Sequence, residues 1–394
     1  MKLKIKSLKE EIYNIYSAEG LFFTGFIIFL GRAMWETTML PLNGLVSLTC
    51  FLLSILFIGL KIVFFDTYSV SGYISVFIGF TGTILIYLNS GYLNPFFWIL
   101  ILIGCKNISF EKILKIYLLI TVSITILALC AALLGIIENL IYETAGRGTR
   151  IAFGSVYVTD FASHIFYMIL AYCYLKADHL EIYHFIGIII IAGVVYYFCR
   201  TRLDCISIFL IVIIFGINRW LQKLQFDGKG LLKKWKNFWK WIAVVSIPFF
   251  AIISAILTIY YRTDNKVLGL INNLISDRLR QGKIGFDNYQ IKLWGQKVDM
   301  VGAGGTIQPV TNYFFIDNSY IHVLLRYGMI FTITLLVIYV LCSYKKREDI
   351  YFLFVLVLVS LNCVIAHHIL EVAYNPFAYV FLAYSGKRKF HFLS

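Results

Sequence analysis

Apolar runs of about 20 residues, the length that crosses a bilayer as a helix, recur along almost the whole chain, as in residues 45–64 and 241–260. Short polar breaks separate them. The runs are continuous, not alternating, so they read as helices and not as strands of a membrane barrel. Backbone groups in lipid must be satisfied within their own segment, which again selects helices. The pattern predicts twelve spans, at 19–37, 45–64, 70–88, 93–105, 113–136, 158–175, 182–199, 203–217, 241–260, 327–343, 350–367 and 372–385. Arg32 and Glu36 interrupt the first, and Asn375 with Pro376 breaks the last. The expected architecture is therefore an all-α polytopic membrane protein. It forms one integral membrane domain over residues 1–394, with a long polar loop at 261–326 before the third-last helix.

Composition agrees with that class. Of 394 residues, 60% are hydrophobic and 14% charged, against about 25% charged in soluble domains. Mean hydropathy is +0.80. The basic N-terminus has no small-residue cleavage site before the first apolar run, so it reads as a cytoplasmic tail and not as a removed signal. The eight cysteines fall singly, mostly in apolar runs, and none forms a C-x-x-C pair. They read as small packing residues, with neither a zinc site nor a disulfide framework implied. No internal repeat is evident.

Charge sets an orientation. With the N-terminus in the cytoplasm, 22 of the 35 Lys and Arg residues fall inside. They include Lys61, Lys106, Lys112, Lys115 and Lys176, the 218–240 segment, and the clusters at 345–347 and 387–389. That bias is the positive-inside pattern, and it places the polar loop outside. The 218–240 segment mixes Trp and Leu with Lys and reads as a basic amphipathic loop lying on anionic lipid at the cytoplasmic face.

Residue type adds a second signal. Most inside cations are Lys, whereas nine of the thirteen outside are Arg: residues 32, 147, 150, 200, 202, 262, 278, 280 and 326. Topology needs only positive charge. Guanidinium adds a planar fork of donors matched to phosphate and carboxylate. Either these arginines pair with outer acids such as Glu143, Asp264, Asp277 and Asp287, or they receive an anionic ligand.

Other polar residues on that side offer chemistry. Asp317 can act as a general base on a hydroxyl, while Asp317 or Asn318 can instead cap the helix starting near Ser319. Glu371 near a span end needs a partner or a function, and Arg326 or Arg200 could serve. Arg200 and Arg202, in a very short turn with Asp204, either snorkel to the interface or floor a phosphate site. Gly302, Gly304 and Gly305 lack the Gly-Lys-Ser/Thr ending of a nucleotide loop and read as a structural turn, with a tight turn that brings backbone N–H groups near an anion as the alternative. His322, His367 and His368 are the outer histidines. Adjacent histidines on a helix diverge, so no metal is assigned.

These features together resemble a family. A long outer loop ends in Ile316, Asp317, Asn318, Ser319 and Tyr320 and runs into Leu324, Leu325, Arg326, Tyr327 and Gly328. Asp277, Arg278, Leu279 and Arg280 open it, and Trp294 and Gly295 follow. Lys106, Asn107, Ile108 and Ser109 lie before the fifth span, and Thr159 to His164 open the sixth. His368, Ile369, Leu370 and Glu371, then Asn375, Pro376 and Phe377, mark the tail. The chain resembles Wzy-type polysaccharide polymerases of bacterial capsule and exopolysaccharide clusters, within the O-antigen polymerase and ligase superfamily. The related ligases carry a His-Asn pair where this chain has Asp317 and Asn318, which favours the polymerase branch.

The resemblance implies a glycosyltransferase that joins undecaprenyl-pyrophosphate-linked oligosaccharide repeat units on the outer face of the cytoplasmic membrane. It implies glycosyl transfer without a metal or other cofactor. Asp317 and Glu371 are the expected catalytic carboxylates. Arg278, Arg280, Arg200, Arg202, Asn318, Tyr320 and His322 are the expected pyrophosphate and sugar contacts. Expected partners are membrane lipid, flippase and chain-length regulator proteins, and no nucleic acid. Alternatives are a lipid-linked oligosaccharide flippase or other polysaccharide transporter, and an O-antigen-type ligase.

Overall fold

Helix starts are written into the sequence by capping residues. Ser17, Asn43, Ser69 and Ser109 each accept a first-turn amide through the side chain, satisfying donors that the helix itself cannot. A computed structural model describes residues 17–144, 148–224, 229–308 and 310–385. The basic N-terminal tail (Lys2, Lys4, Lys6 and Lys9), Arg147, residues 225–228 of the 218–240 segment and the 387–389 cluster lie outside the described residues.

The order is α1 (Ala18–Glu36), α2 (Gly44–Phe64), α3 (Val70–Ser90), α4 (Asn94–Gly104) and α5 (Phe110–Leu133). A small hairpin follows, β1 (Ile141–Thr144) with β2 (Gly148–Ile151), antiparallel with Ile141 opposite Ile151. Next come α6 (Val158–Lys176), α7 (Ile182–Cys199), α8 (Arg202–Lys223) and α9 (Lys229–Ile259). The polar loop contributes α10 (Lys266–Leu274) and α11 (Arg278–Asn288), before α12 (Ser319–Lys345) and α13 (Ile350–Asn362).

The protein is an all-α membrane protein. Among the described residues nine helices are long and apolar enough to span: α1, α2, α3, α5, α6, α7, α8, α9 and α12. Three expected spans are not helices of that length. α4 has 11 residues and α13 has 13. Residues 372–385 form turns and a short 3-10 helix, Phe377–Phe381, because Asn375 and Pro376 stop an α-helix there. The third-last expected helix starts earlier than its apolar run, at Ser319, since Asn318 caps it.

The 218–240 segment also differs from expectation. α8 runs to Lys223, and α9 carries the Trp/Lys stretch as its first turns. Among the described residues no proline interrupts it before Pro248. Thirty-one residues give about 46 Å at 1.5 Å per residue, longer than a hydrocarbon core of about 30 Å. Trp235 and Trp239 pack on Phe354 of α13, so one face of the stretch meets protein, while Leu231 and Trp241 stay exposed.

Burial grades from the rim to the centre. α2 and α3 leave most of their apolar side chains exposed, as a lipid-facing pair would, while α6 is largely buried and α13 almost wholly so. The irregular chain after α13 sits inside this core, so its carbonyls need donors from elsewhere. Side chains supply them. Asn318 Nδ2 donates to Val364 O (3.0 Å) and Ser319 Oγ to Ala366 O (2.6 Å). Tyr339 Oη donates to Ile369 O (3.2 Å) and Tyr117 Oη to Tyr374 O (2.6 Å). Lys345 Nζ serves Val380 O, Phe381 O and Ala383 O.

The polar loop is tied to the bundle at a break in α12. Gly328 has φ +89° and ψ 169°, which opens the helix ladder. The loop uses the freed groups: Met329 N donates to Lys292 O (2.9 Å), and Gln296 N donates to Arg326 O (3.1 Å). Gly295, at φ +81°, comes so close that a Cβ there would lie 2.3 Å from Arg326 O. Only glycine fits both positions.

Candidate functional site

Beneath the polar loop lies a cavity of about 370 Å³ whose walls come from β2, α6, α8, the start of α11, the turn before α12 and the chain after α13. It gathers charged side chains from segments far apart in sequence. Arg150, Arg202 and Arg278 line it, together with Asp160, Asp204, Asp317, His367 and Glu371.

Arg278 is the best-positioned cation. The two residues before it, Ser276 and Asp277, both have positive φ (54° and 69°), a conformation that costs about 1–3 kcal/mol per non-glycine residue unless its surroundings impose it. Asn272 imposes it: its carbonyl takes Asp277 N (2.8 Å), its Nδ2 donates to Asp277 Oδ1 (2.7 Å), and its Oδ1 takes Arg280 N (3.0 Å). The turn aims Arg278 inward. Its Nη1 donates to Ser276 O (2.7 Å) and its Nε to Ile365 O (3.2 Å), and Nη2 lies 3.3 Å from Asp317 Oδ2.

Asp317 and Asn318 divide the two roles offered to them. Asn318 is the cap, its Oδ1 accepting Tyr320 N and Ile321 N. Asp317 is left facing the cavity beside Arg278. Arg150 is 4% exposed, and its Nε donates to Cys199 O (3.1 Å). Asp204 Oδ1 accepts from Ser163, and Asp160 and Tyr374 line the cavity together.

Glu371 takes neither Arg326 nor Arg200. Its Oε1 lies 3.2 Å from His367 Nε2, and its Oε2 lies 2.8 Å from His368 Nδ1. α13 ends at Asn362, so the two histidines are not on a helix and do not diverge. Both converge on one carboxylate. Burial works against a charge on His367, but Glu371, helped by Asp317 and Asp160, outweighs it and pushes the imidazole up to about 9. Burial likewise opposes charge on Glu371, and the two imidazoles overcome it to hold the carboxyl well below its usual range. The three donor groups lie within 4.8 Å of one another. The contacts are pairwise, each imidazole on its own oxygen, as a hydrogen-bonded bridge requires. His368 stacks on Tyr374 at 3.6 Å, which stacks on His164 at 4.0 Å.

Of the nine sequence-chosen residues, the cavity brings together Arg202, Arg278, Asp317 and Glu371. The rest lie elsewhere. Arg280 pairs with Asp277 at the surface. Arg200 is the left-handed C-cap residue of α7, near the Tyr197 ring. Asn318 is spent on capping and on Ser254 and Val364. Tyr320 donates to Ser360 O in the core. His322 bonds Ile316 O and Arg326, whose guanidinium lies over Tyr92.

Arg150, Asp160 and His367 were not chosen from sequence. Asp160 carried a usable signal, a carboxylate in the first turn of an apolar run. Gly302, Ala303 and Gly304 also line the cavity, but Gly305 N is spent on Val156 O (2.7 Å).

A second hollow runs along the other side of α6. It is a groove of about 640 Å³ between α5 and α7, lined by residues such as Leu118, Val122, Phe161, Tyr172 and Gly187. From Phe161 to Tyr172 it follows α6 for about 16 Å. Phe161 lines this groove and its neighbour Asp160 lines the charged cavity, so both hollows border the first turn of α6. No family model matches this chain, and neither a curated protein nor a solved structure is significantly similar to it.

Proposed function

We propose that the protein is a polysaccharide polymerase. It joins undecaprenyl-pyrophosphate-linked oligosaccharide units on the outer face of the bacterial cytoplasmic membrane. The observation that carries the reading is the pairing of sites on α6. A cavity with three guanidiniums and several carboxylates and an apolar groove both border the first turn of α6. A diphosphate attached to a long hydrocarbon needs both. The excess of Lys at the opposite ends of the spans supports the outward orientation.

The acceptor hydroxyl oxygen attacks the anomeric carbon of the donor sugar. The bond from that carbon to the diphosphate oxygen breaks, and the diphosphate leaves with the electron pair. Asp317 takes the hydroxyl proton. Arg278, Arg202 and Arg150 stabilise the charge that builds on the leaving group, each charge-assisted bond contributing about 1.5–3 kcal/mol. No metal is needed for this step. Glu371 has both oxygens engaged by imidazoles, which leaves Asp317 the better base.

The test is product length. Purified protein in nanodiscs, given lipid-linked repeat units, yields a ladder of polymer on a gel. Single units only from the wild-type protein sink the reading, as does external tagging that places the loop in the cytosol.

A further inference from the structure

His367 carries a role that the proposed reaction has not used. It lines the cavity with Arg278 and Asp317 and is 18% exposed at its side chain. One ring nitrogen, Nε2, is held 3.2 Å from Glu371. Glu371 is in turn fixed by His368 on its other oxygen. Phe315 meets the ring edge at 5.0 Å, and His322 stacks on it at 5.4 Å. The imidazole is thus oriented on three sides, and among the described residues no hydrogen bond engages its Nδ1. Arg278 and Arg150, by contrast, already donate to backbone carbonyls.

We infer that His367 is a fourth cationic contact for the diphosphate, donating through Nδ1, and that Glu371 is its positioning residue. The inference rests on the proposed reading of the cavity as a diphosphate site. The groups facing His367 are Glu371 and His368 from its own segment, Asp317 from the turn before α12, and His322 with Arg326 behind it on α12. Asp160 on α6, Asp204 and Arg202 on α8, Arg150 on β2 and Arg278 on α11 share the cavity walls with it. Carboxylates dominate the near contacts, so the imidazolium persists at neutral pH, consistent with its rise to about 9. Above that pH Nδ1 loses its proton while Nε2–H stays on Glu371, so Nδ1 no longer donates. A phosphate monoester ionises at about pH 6, well below this limb.

Binding of undecaprenyl pyrophosphate to protein in phosphatidylcholine nanodiscs tests this across pH 6–10.5. Wild-type affinity falls as pH rises through about 9. His367→Gln binds about tenfold or more weakly at pH 7, the loss of one charge-assisted bond, and has no limb there. His367→Lys restores affinity at pH 7. Glu371→Gln, with His367 intact, moves the limb to lower pH, and this arm stands even if His367→Gln melts at a lower temperature. Unchanged affinity and an unchanged limb in His367→Gln overturn the inference and leave the proposed function standing. An unmoved limb in Glu371→Gln overturns the positioning role. A wild-type protein that binds no diphosphate at any pH removes the proposed function and the inference together.

Discussion

Arg278→Ala separates the binding role of this residue from its structural one. The side chain makes two bonds to carbonyls, Ser276 O and Ile365 O, and one ion pair, with Asp317. Each lost bond to a carbonyl costs about 1 kcal/mol. The ion pair is only partly buried, 17% and 22% exposed, so its removal falls below the 3–5 kcal/mol of a fully buried broken pair. The sum is a stability loss of about 2–4 kcal/mol, visible as a lower melting temperature in detergent. The functional loss is separate. One charge-assisted bond to phosphate, about 1.5–3 kcal/mol, is a factor of about 10–150 in rate or affinity.

Two further variants divide the effects. Asp317→Asn on top of Arg278→Ala removes the unpaired carboxylate and recovers the ion-pair share of stability, yet it does not restore polymer. Arg278→Lys keeps the charge but not the fork, so it retains more stability than activity. The assay is melting temperature beside product length from lipid-linked units in nanodiscs. Long polymer from Arg278→Ala, at a rate within threefold of wild type, refutes the assignment of Arg278 to the leaving group.

Three other outcomes follow from the geometry. Gly295→Ala places a Cβ 2.3 Å from Arg326 O at φ +81°, so it displaces the loop from the α12 break and costs more than about 3 kcal/mol; thermal melting and protease sensitivity of the loop report it, and a wild-type melt sinks the docking argument. Gly187→Trp fills the α5–α7 groove from a position with open space around it; it lowers use of long-chain donors about tenfold while sparing a short-chain analogue, and equal loss on both substrates counts against the groove as a tail site. The His367–Glu371 bridge gives a pH dependence to stability. A histidine raised from 6.5 to about 9 corresponds to about 3 kcal/mol at 1.36 per unit, fully present below 6.5 and lost as pH rises through 9. Glu371, being depressed, adds no second sum, since the interaction is shared, and its share is lost only at acid pH. Melting temperature against pH for wild type and His367→Gln converges above pH 9; parallel curves refute the bridge.

Most spans are legible because a bilayer demands about 20 apolar residues and the sequence supplies them. Hydropathy fails where the apolar environment is protein and not lipid. Residues 372–385 look like a span, yet Val372, Ala373, Tyr374, Phe377, Ala378 and Val380 are buried within the bundle, and their composition records that burial. Their carbonyls depend on Tyr117 and Lys345, donors hundreds or tens of residues away, which no local pattern announces. The site shows the same division. Arg278 and Arg280 look equivalent in a list of outer arginines. Two residues on a helix differ by about 200°, so when one enters the cavity the other faces solvent, where it meets Asp277. The inward choice is made by left-handed backbone at Ser276 and Asp277, residues whose identity does not advertise it. His367 is hidden in the sequence because the apolar run around it reads as helix, whereas the helix ends at Asn362.

The charges around the cavity nearly cancel, and that balance bears on how the site would work. Arg150, Arg202, Arg278 and His367 face Asp160, Asp204, Asp317 and Glu371, while Glu36, the fifth carboxylate in the lining, pairs with Arg32. Guanidiniums gathered without carboxylates would repel one another in a partly dry cavity, so the acids are part of what lets the cations assemble there. An arriving diphosphate must therefore exchange partners and not merely fill an empty basic pocket. One such exchange is at Arg278, whose contact with Asp317 is at 3.3 Å. On the proposed reading, phosphate drawing Arg278 away leaves Asp317 without its cation at the moment an acceptor hydroxyl is present. A carboxylate freed in that way has an oxygen open to the acceptor hydroxyl that the guanidinium had occupied. Donor binding and acceptor activation would then be linked through one side chain, so the base stays restrained until there is a leaving group to expel.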